Sequence, residues 1–210
     1  MRSRIAAGAV GKGLITIWVL FSGTAIATPI TYNVSVLSSS ISGNSGYLDF
    51  QFNPGSGAQA AAVDITNFGY SDGGPTAPPV LTGGASGDLA TSVHIDNTGG
   101  LNDYLQSWTF PLVFQFTITF SGPALSSPDG TSTDTFGLAL YDPSFNPQLN
   151  DGSQGDFILT IDVNSDGSTT PNLASSPAGL VTVTPVLTPE PGTWLLFSLA
   201  GAAVWRRYRH

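Results

Sequence analysis

The sequence predicts an all-β fold: an antiparallel β-sandwich of jelly-roll type with about eight strands, flanked by an N-terminal signal helix and a C-terminal single transmembrane helix. Three observations carry that expectation. Apolar and polar residues alternate with period two through residues 28–185, the spacing of a strand that buries one face. The segments between alternating runs are rich in Gly, Pro, Asn, Asp and Ser, which supply turns. No stretch of this middle holds a helical period of useful length.

Taken in order, Tyr32, Val34 and Val36 alternate with Asn33 and Ser35, and Leu48, Phe50 and Phe52 with Tyr47, Asp49 and Gln51. Val63 and Ile65 follow, then Val93 and Ile95. The longest run sets Leu112, Phe114, Phe116, Ile118 and Phe120 against Val113, Gln115, Thr117 and Thr119. Phe136, Leu138 and Leu140 come next, then Phe157, Leu159 and Ile161, then Val181 and Val183. Strands with one apolar face each bury it by packing two sheets face to face, and a closed barrel satisfies the same pattern. Breaks fall at 53–59, 71–87, 97–102, 121–134, 142–155 and 164–179, the last resembling a linker. The chain divides into a signal peptide (1–27), one sandwich domain (28–187) and a C-terminal segment (188–210).

Charge placement excludes whole classes of function. The basic residues are Arg2, Arg4, Lys12, Arg206, Arg207 and Arg209, so neither Lys nor Arg lies between Lys12 and Arg206. That span holds every one of the 14 acids: Glu190 and otherwise Asp. Nothing there neutralises phosphate, which excludes nucleic acid and anionic membrane surfaces as ligands of the domain. Its carboxylates must be solvated, hydrogen-bonded or metal-bound, with divalent cations the natural counter-charge. With no Cys, disulfides, thiolate zinc sites and cysteine nucleophiles are excluded as well.

Both ends read as processing signals. Arg2, Arg4 and Lys12 precede a short apolar stretch from Leu14 to Phe21, and Ala25-Ile26-Ala27 matches the small-x-small pattern that would leave Thr28 first. A membrane anchor is the alternative, although the run is shorter than the ~20 residues of a span. At the other end Pro189-Glu190-Pro191 precedes a mostly apolar run to Trp205 and the basic Arg206-Arg207-Tyr208-Arg209-His210. The run from Thr193 makes about 20 Å of helix. The basic tail would stay cytoplasmic, so the segment would hold an exported domain at the inner membrane.

Pro189, Glu190 and Pro191, the apolar run and the Arg-rich end together resemble the PEP-CTERM sorting signal of Gram-negative bacteria. The resemblance implies a partner, a membrane protease of the exosortase type that cuts near the motif. It also implies passage to the cell surface or an extracellular polysaccharide matrix. A plain C-terminal anchor is the alternative. Residues 47–55, Asn102-Asp103-Tyr104 and Ser127-Pro128-Asp129-Gly130 resemble a recurring group of PEP-CTERM proteins, a likeness that supplies no catalytic residues.

Few residues could carry chemistry. Asp162-Val163-Asn164-Ser165-Asp166-Gly167 opens like a calcium loop, with oxygens of Asp162, Asn164 and Asp166 able to converge on one Ca2+. Its twelfth position is Leu173, so the bidentate acid is missing, and a plain turn explains the same residues. Asp129 with Asp134, and Asp142, Asp151 and Asp156 in one loop, read as solvated turn residues, with further cation ligands as the alternative, and His94 as a surface residue. No nucleophile elbow accompanies His94, and no carboxylate pair stands out for glycoside hydrolysis. Tyr47, Tyr70, Tyr104, Tyr141 and above all Trp108 are candidates for stacking on a sugar, with a core position as the alternative for Trp108. The expectation is a non-catalytic exported protein with a structural or adhesive role in exopolysaccharide or biofilm. The alternative is a calcium-dependent carbohydrate-binding module.

Overall fold

The computed structural model describes residues 29–131 and 133–187. Within them run thirteen strands: β1 (Ile30–Leu37), β2 (Ser45–Asn53), β3 (Ala62–Tyr70), β4 (Gly74–Pro75), β5 (Val80–Thr82), β6 (Ala85–Asp88) and β7 (Ser92–Asp96), then β8 (Asp103–Thr109), β9 (Val113–Ser121), β10 (Asp134–Tyr141), β11 (Phe157–Val163), β12 (Thr169–Leu173) and β13 (Val181–Pro185). The helical content of the described residues is a 3-10 turn at Ser39–Ile41 and a single α-turn, α1, at Pro123–Ser126.

Two antiparallel sheets result. Sheet A runs β13-β1-β9-β3-β7-β6, and sheet B runs β12-β11-β10-β2-β8-β4 with β5 also on β8. The first nine strands pair in a nested way: β1 with β9, β2 with β8, and β3 with β7. The chain passes from sheet A to sheet B and back through β1, β2 and β3, and again through β7, β8 and β9, with the short β4–β6 between the two halves. The chain then adds β10 beside β2, continues through β11 and β12, and returns to sheet A as β13 beside β1.

The core is the set of alternate residues that period two points inward. Phe50, Phe52, Phe114, Phe120, Phe136 and Trp108 are each fully buried. Phe50 sits at the crossing of the sheets: its ring meets Phe116 at 5.2 Å edge-on and Phe136 at 6.0 Å stacked. It also meets Phe68 at 6.3 Å and Tyr104 at 6.3 Å. Such offset and edge-to-face pairs add to simple area burial, so Phe50 ties β2 and β10 of one sheet to β3 and β9 of the other.

The expected eight strands are β1, β2, β3, β7, β9, β10, β11 and β13; β4, β5, β6, β8 and β12 are additional. In β8 the inward residues are Tyr104, Gln106 and Trp108, and the buried Gln106 breaks the apolar series that alternation looks for. Its amide donates to the Ala77 carbonyl at 2.6 Å, which makes the burial tolerable. Strands β4 to β6 are short and mostly exposed, and β12 carries Pro171 on a sheet edge, so turn-like composition hid them inside the breaks at 71–87 and 164–179. Leu112 is also corrected: it lies outside β9 and is 49% exposed, because the Ser38 N–H takes its carbonyl before the ladder begins. Among the described residues no helix is long and apolar enough to cross a membrane. The helices expected within 1–27 and 188–210 fall outside the described residues.

Truncating the central ring should therefore cost far more than trimming the rim. Phe50→Ala is expected to destabilise the domain by about 3–5 kcal/mol, seen as a melting point ~10 °C lower. Leu81→Ala, at an exposed position, should stay within about 0.5 kcal/mol of the parent.

Candidate functional site

The end of β13 connects the fold to the C-terminal segment. Val181 and Val183 turn inward while Thr182 and Thr184 face out, which fixes β13 on β1 from Val36↔Val181 to Tyr32↔Pro185. The last ladder contact is the Val186 N–H donating to the Thr31 carbonyl at 2.8 Å. Leu187 is 89% exposed. The chain thus leaves the sheet at Val186, three positions before Pro189.

The outer face of sheet A is the second feature. A groove of about 350 Å³ is lined by Val34 and Phe116 and by Asn33, Ser35, Asn67, Gln115, Thr117, Thr182 and Thr184, the last seven all uncharged and able to donate and accept. Asn67 enters it because β3 shifts register between Thr66 and Gly69, with Asn67 in the left-handed region at φ 52°. Its amide donates to Thr117 Oγ1 at 3.3 Å, and the Thr117 hydroxyl donates to Asn33 Oδ1 at 3.1 Å. Further along this face His94 Nδ1 lies 2.7 Å from Asp64 Oδ1, so the outward His94 has a carboxylate partner that sequence reading did not assign it.

The carboxylates divide into two groups. Five repeats of Asp-x-Ser/Thr form the same turn, in which the backbone N–H two residues on donates to the Asp Oδ1 at 2.8–3.0 Å: Asp96, Asp129, Asp142, Asp151 and Asp166. Side-chain donors add to this, chiefly Thr98, Thr131, Asn146, Ser153 and Ser168, and hold each carboxyl below its ordinary range. The repeat was present in the sequence and would have identified these turns. The other group is buried. Asp49 on β2 is 3% exposed, with Oδ2 accepting from Gln51 Nε2 at 2.7 Å. Asp103 pairs with Gln51 across the strands, so it is the diagonal neighbour of Asp49. Burial first, and then the adjacent Asp103 carboxyl, push Asp49 up to about 8. Tyr141 on β10 is raised mainly by burial and then by Asp49, Asp156 and Asp103, and its hydroxyl donates to Asp156 Oδ2 at 3.4 Å. Asp134 is also fully buried, with Oδ2 accepting from Asn97 Nδ2 at 3.1 Å, and burial raises it too. The expectation that Asp134 is a solvated turn residue is thereby corrected.

The sites expected from sequence fare unevenly. Trp108 is fully buried and packs edge-on against Tyr70 at 5.3 Å and Phe68 at 5.7 Å, so it presents no face to a sugar. Tyr104 is likewise buried, and Tyr141 is 9% exposed. Asp162, Asn164 and Asp166 all lie at the β11–β12 hairpin, but their atoms are engaged there. Asp162 accepts from Thr135 at 2.8 Å and from Asn172 at 3.0 Å, and the Asn164 amide donates to Ser168 and Thr170. Gly167, at φ 80°, closes the turn through its N–H to the Asn164 carbonyl at 2.9 Å. Among the described residues no three His, Cys, Asp or Glu side chains gather in a group able to hold a metal. Ala25, Ala27, Pro189, Glu190, Pro191, Arg206, Arg207 and Arg209 lie outside the described residues.

The model of the PEP-CTERM protein-sorting motif matches residues 187–209, which take in Pro189, Glu190, Pro191 and all three C-terminal arginines. The chain carries a PEP-CTERM sorting motif. This marks an exported protein sorted through a C-terminal signal, with exosortase processing as the general kind of partnership. The motif begins at Leu187, directly beyond the Val186 contact that ends sheet A. No curated protein and no solved structure matches the chain.

The two carboxylate groups give the sorted domain a pH dependence with opposite signs at its two edges. The turn carboxyls are lowered, so their contribution is present above the ordinary Asp pKa and is lost as pH falls. Asp49 is raised to about 8, so its contribution is complete below the ordinary Asp pKa and is lost as pH rises through about 8. Unfolding free energies from urea titrations should fall between pH 5 and pH 8 with a slope of up to about 1.4 kcal/mol per pH unit. Asp49→Asn should flatten that slope and leave the acid edge in place.

Proposed function

We propose that this is a non-catalytic surface or matrix protein, a jelly-roll sandwich with a structural or adhesive role in an extracellular polysaccharide or biofilm. Its C-terminal segment holds it at the inner membrane until an exosortase-type protease releases it. The observation that carries this reading is a folded, acidic, Lys- and Arg-free sandwich whose last strand runs directly into a PEP-CTERM motif. The nested pairing of β1 to β9 supports the jelly-roll form.

A second reading, a carbohydrate-binding module, is favoured by the groove on sheet A. Amide and hydroxyl side chains without charge or a single fixed polarity match an uncharged polyhydroxyl chain. It moves the glycan from Trp108 to Asn33, Gln115 and Thr117. Calcium enters this reading through Asp162, Asn164 and Asp166, if it displaces their hairpin hydrogen bonds.

Mass spectrometry of the extracellular fraction should find a mature chain lacking Arg206–His210, and deletion of the processing protease should leave the intact chain in the membrane fraction. A secreted form still ending at His210 rejects the sorting step. For the second reading, the mature domain should be retained on a neutral exopolysaccharide column, and Asn33→Ala with Gln115→Ala should cut retention about tenfold. Calcium should raise the melting point, and Asp162→Ala should abolish that rise. Unchanged retention and an unmoved melting point reject the module and its metal respectively.

A further inference from the structure

Two neighbouring carboxyls on the outer face of sheet B have no counter-charge from the chain. Asp49 points outward from β2, between the inward Leu48 and Phe50, yet it is 3% exposed. Its strand partners are Leu105 on β8 and Ala139 on β10, and Asp103 is its diagonal neighbour on β8. The Asp103 carboxyl stands within hydrogen-bond reach of it. Tyr47, the preceding outward residue of β2, stacks on Phe145 at 4.5 Å. Tyr141, the outward residue of β10 beyond Ala139, turns its hydroxyl to Asp156.

The oxygens of the pair are used unequally. Asp49 Oδ2 accepts from Gln51 Nε2 at 2.7 Å. Asp49 Oδ1 and Asp103 Oδ1 are both buried and accept no hydrogen bond from the described residues. Buried acceptors are nearly always satisfied, so orphan oxygens on two adjacent carboxyls call for a shared partner. Asp134 Oδ1 is a further orphan, but its carboxyl is already served by Asn97 and the Gly55 N–H. No Lys or Arg lies between Lys12 and Arg206 to fill the role, and His94 is paired with Asp64 on sheet A. A proton joins two carboxyls at low pH, and a cation has to replace it as pH rises. The free donors are carboxylate oxygens, which suit a hard divalent ion. Two carboxylates are fewer than a closed cage takes, and such an ion completes its shell with water. Asp103 and Gln51 are half-buried, so water reaches this side of the pair.

We propose that Asp49 and Asp103 bind a hard divalent cation through their two free Oδ1 atoms, clamping β2 to β8 on the outer face of sheet B. The site is separate from the β11–β12 hairpin and independent of both the sorting and the carbohydrate readings. Because the cation takes the place of a proton, binding releases a proton and strengthens as pH rises.

The test uses the full chain in detergent, with calcium chloride and magnesium chloride as separate probes. At least one should bind once per chain by calorimetry. At about ten times its Kd it should raise the melting point by about 4 °C. From pH 6 to pH 8 its Kd should fall by up to about tenfold per pH unit. The probe that acts identifies the ion. Asp49→Asn and Asp103→Asn should each abolish the rise. Asp162→Ala, which removes a rise seated at the hairpin, should leave this one in place. If either Asn variant fails to fold, the parent decides through manganese broadening of its amide resonances. Broadening centred on residues 49 and 103 supports the site, and broadening centred anywhere else overturns it. No rise with either probe, a rise kept in both Asn variants, or a Kd independent of pH overturns the proposal. Loss in Asp162→Ala alone also overturns it and assigns the cation to the hairpin. Retention on the polysaccharide column is a separate readout, so the carbohydrate reading stands or falls on its own.

Discussion

Thirteen carboxylates share this domain with no lysine or arginine, and that imbalance shapes most of its polar structure. A carboxylate without a cation is stabilised by water or by N–H and O–H donors. The chain supplies donors locally, by writing Asp-x-Ser/Thr at five turns and letting the backbone two residues on close onto each acid. Each turn satisfies its own charge within four positions of the acid, so the acids need no long-range partner and mutual repulsion is spread over the rim. The sheets are then free to be held by uncharged contacts: the aromatic cluster around Phe50 inside and ladders of Thr, Asn and Gln outside.

Asp49 departs from that arrangement, and the departure is informative. It occupies an outward strand position, yet it is buried on sheet B where Phe145 stacks on Tyr47 at 4.5 Å and the Tyr141 hydroxyl reaches Asp156. With Asp103 beside it and no cation in the domain, the inexpensive counter-charge is a proton. Burial beside Asp103 favours the protonated Asp49 carboxyl, and ionising it would leave an unpaired charge at the β2–β8 junction. Its effect reaches the core, because the same two strands carry Phe50, Tyr104 and Trp108 inward.

How much of this was legible follows from what each residue had to satisfy. Wherever a strand buries one face with apolar side chains, as in β2, β9 and β10, alternation alone located it and selected the inward residues. β8 escaped because Gln106 takes an inward place, and a glutamine is read as solvent-facing unless its partner, the Ala77 carbonyl, is known. Trp108 read as a candidate platform because a lone tryptophan carries no mark of which way its strand faces; its burial depends on Phe68 and Tyr70, forty residues away in sequence. The apparent calcium loop was legible as a turn, since Asp166-Gly167-Ser168 is one more copy of the repeat that builds the other turns. The Asp49–Asp103 pair was not legible, because it depends on strand register between segments fifty residues apart.

The same separation of local from long-range information explains why the sorting motif was plain in sequence while its mechanical setting was not. A sorting signal is read by another protein along a contiguous stretch, so its information must be local, and Pro189, Glu190 and Pro191 with the C-terminal arginines are enough to recognise it. The strand that leads into it depends on a partner at the opposite end of the domain: β13 is held by β1, the first strand of the fold, across some 150 residues of chain. Closing the sandwich with its last strand against its first makes that pairing among the most non-local in the molecule. Such contacts form only after the intervening chain has found its topology.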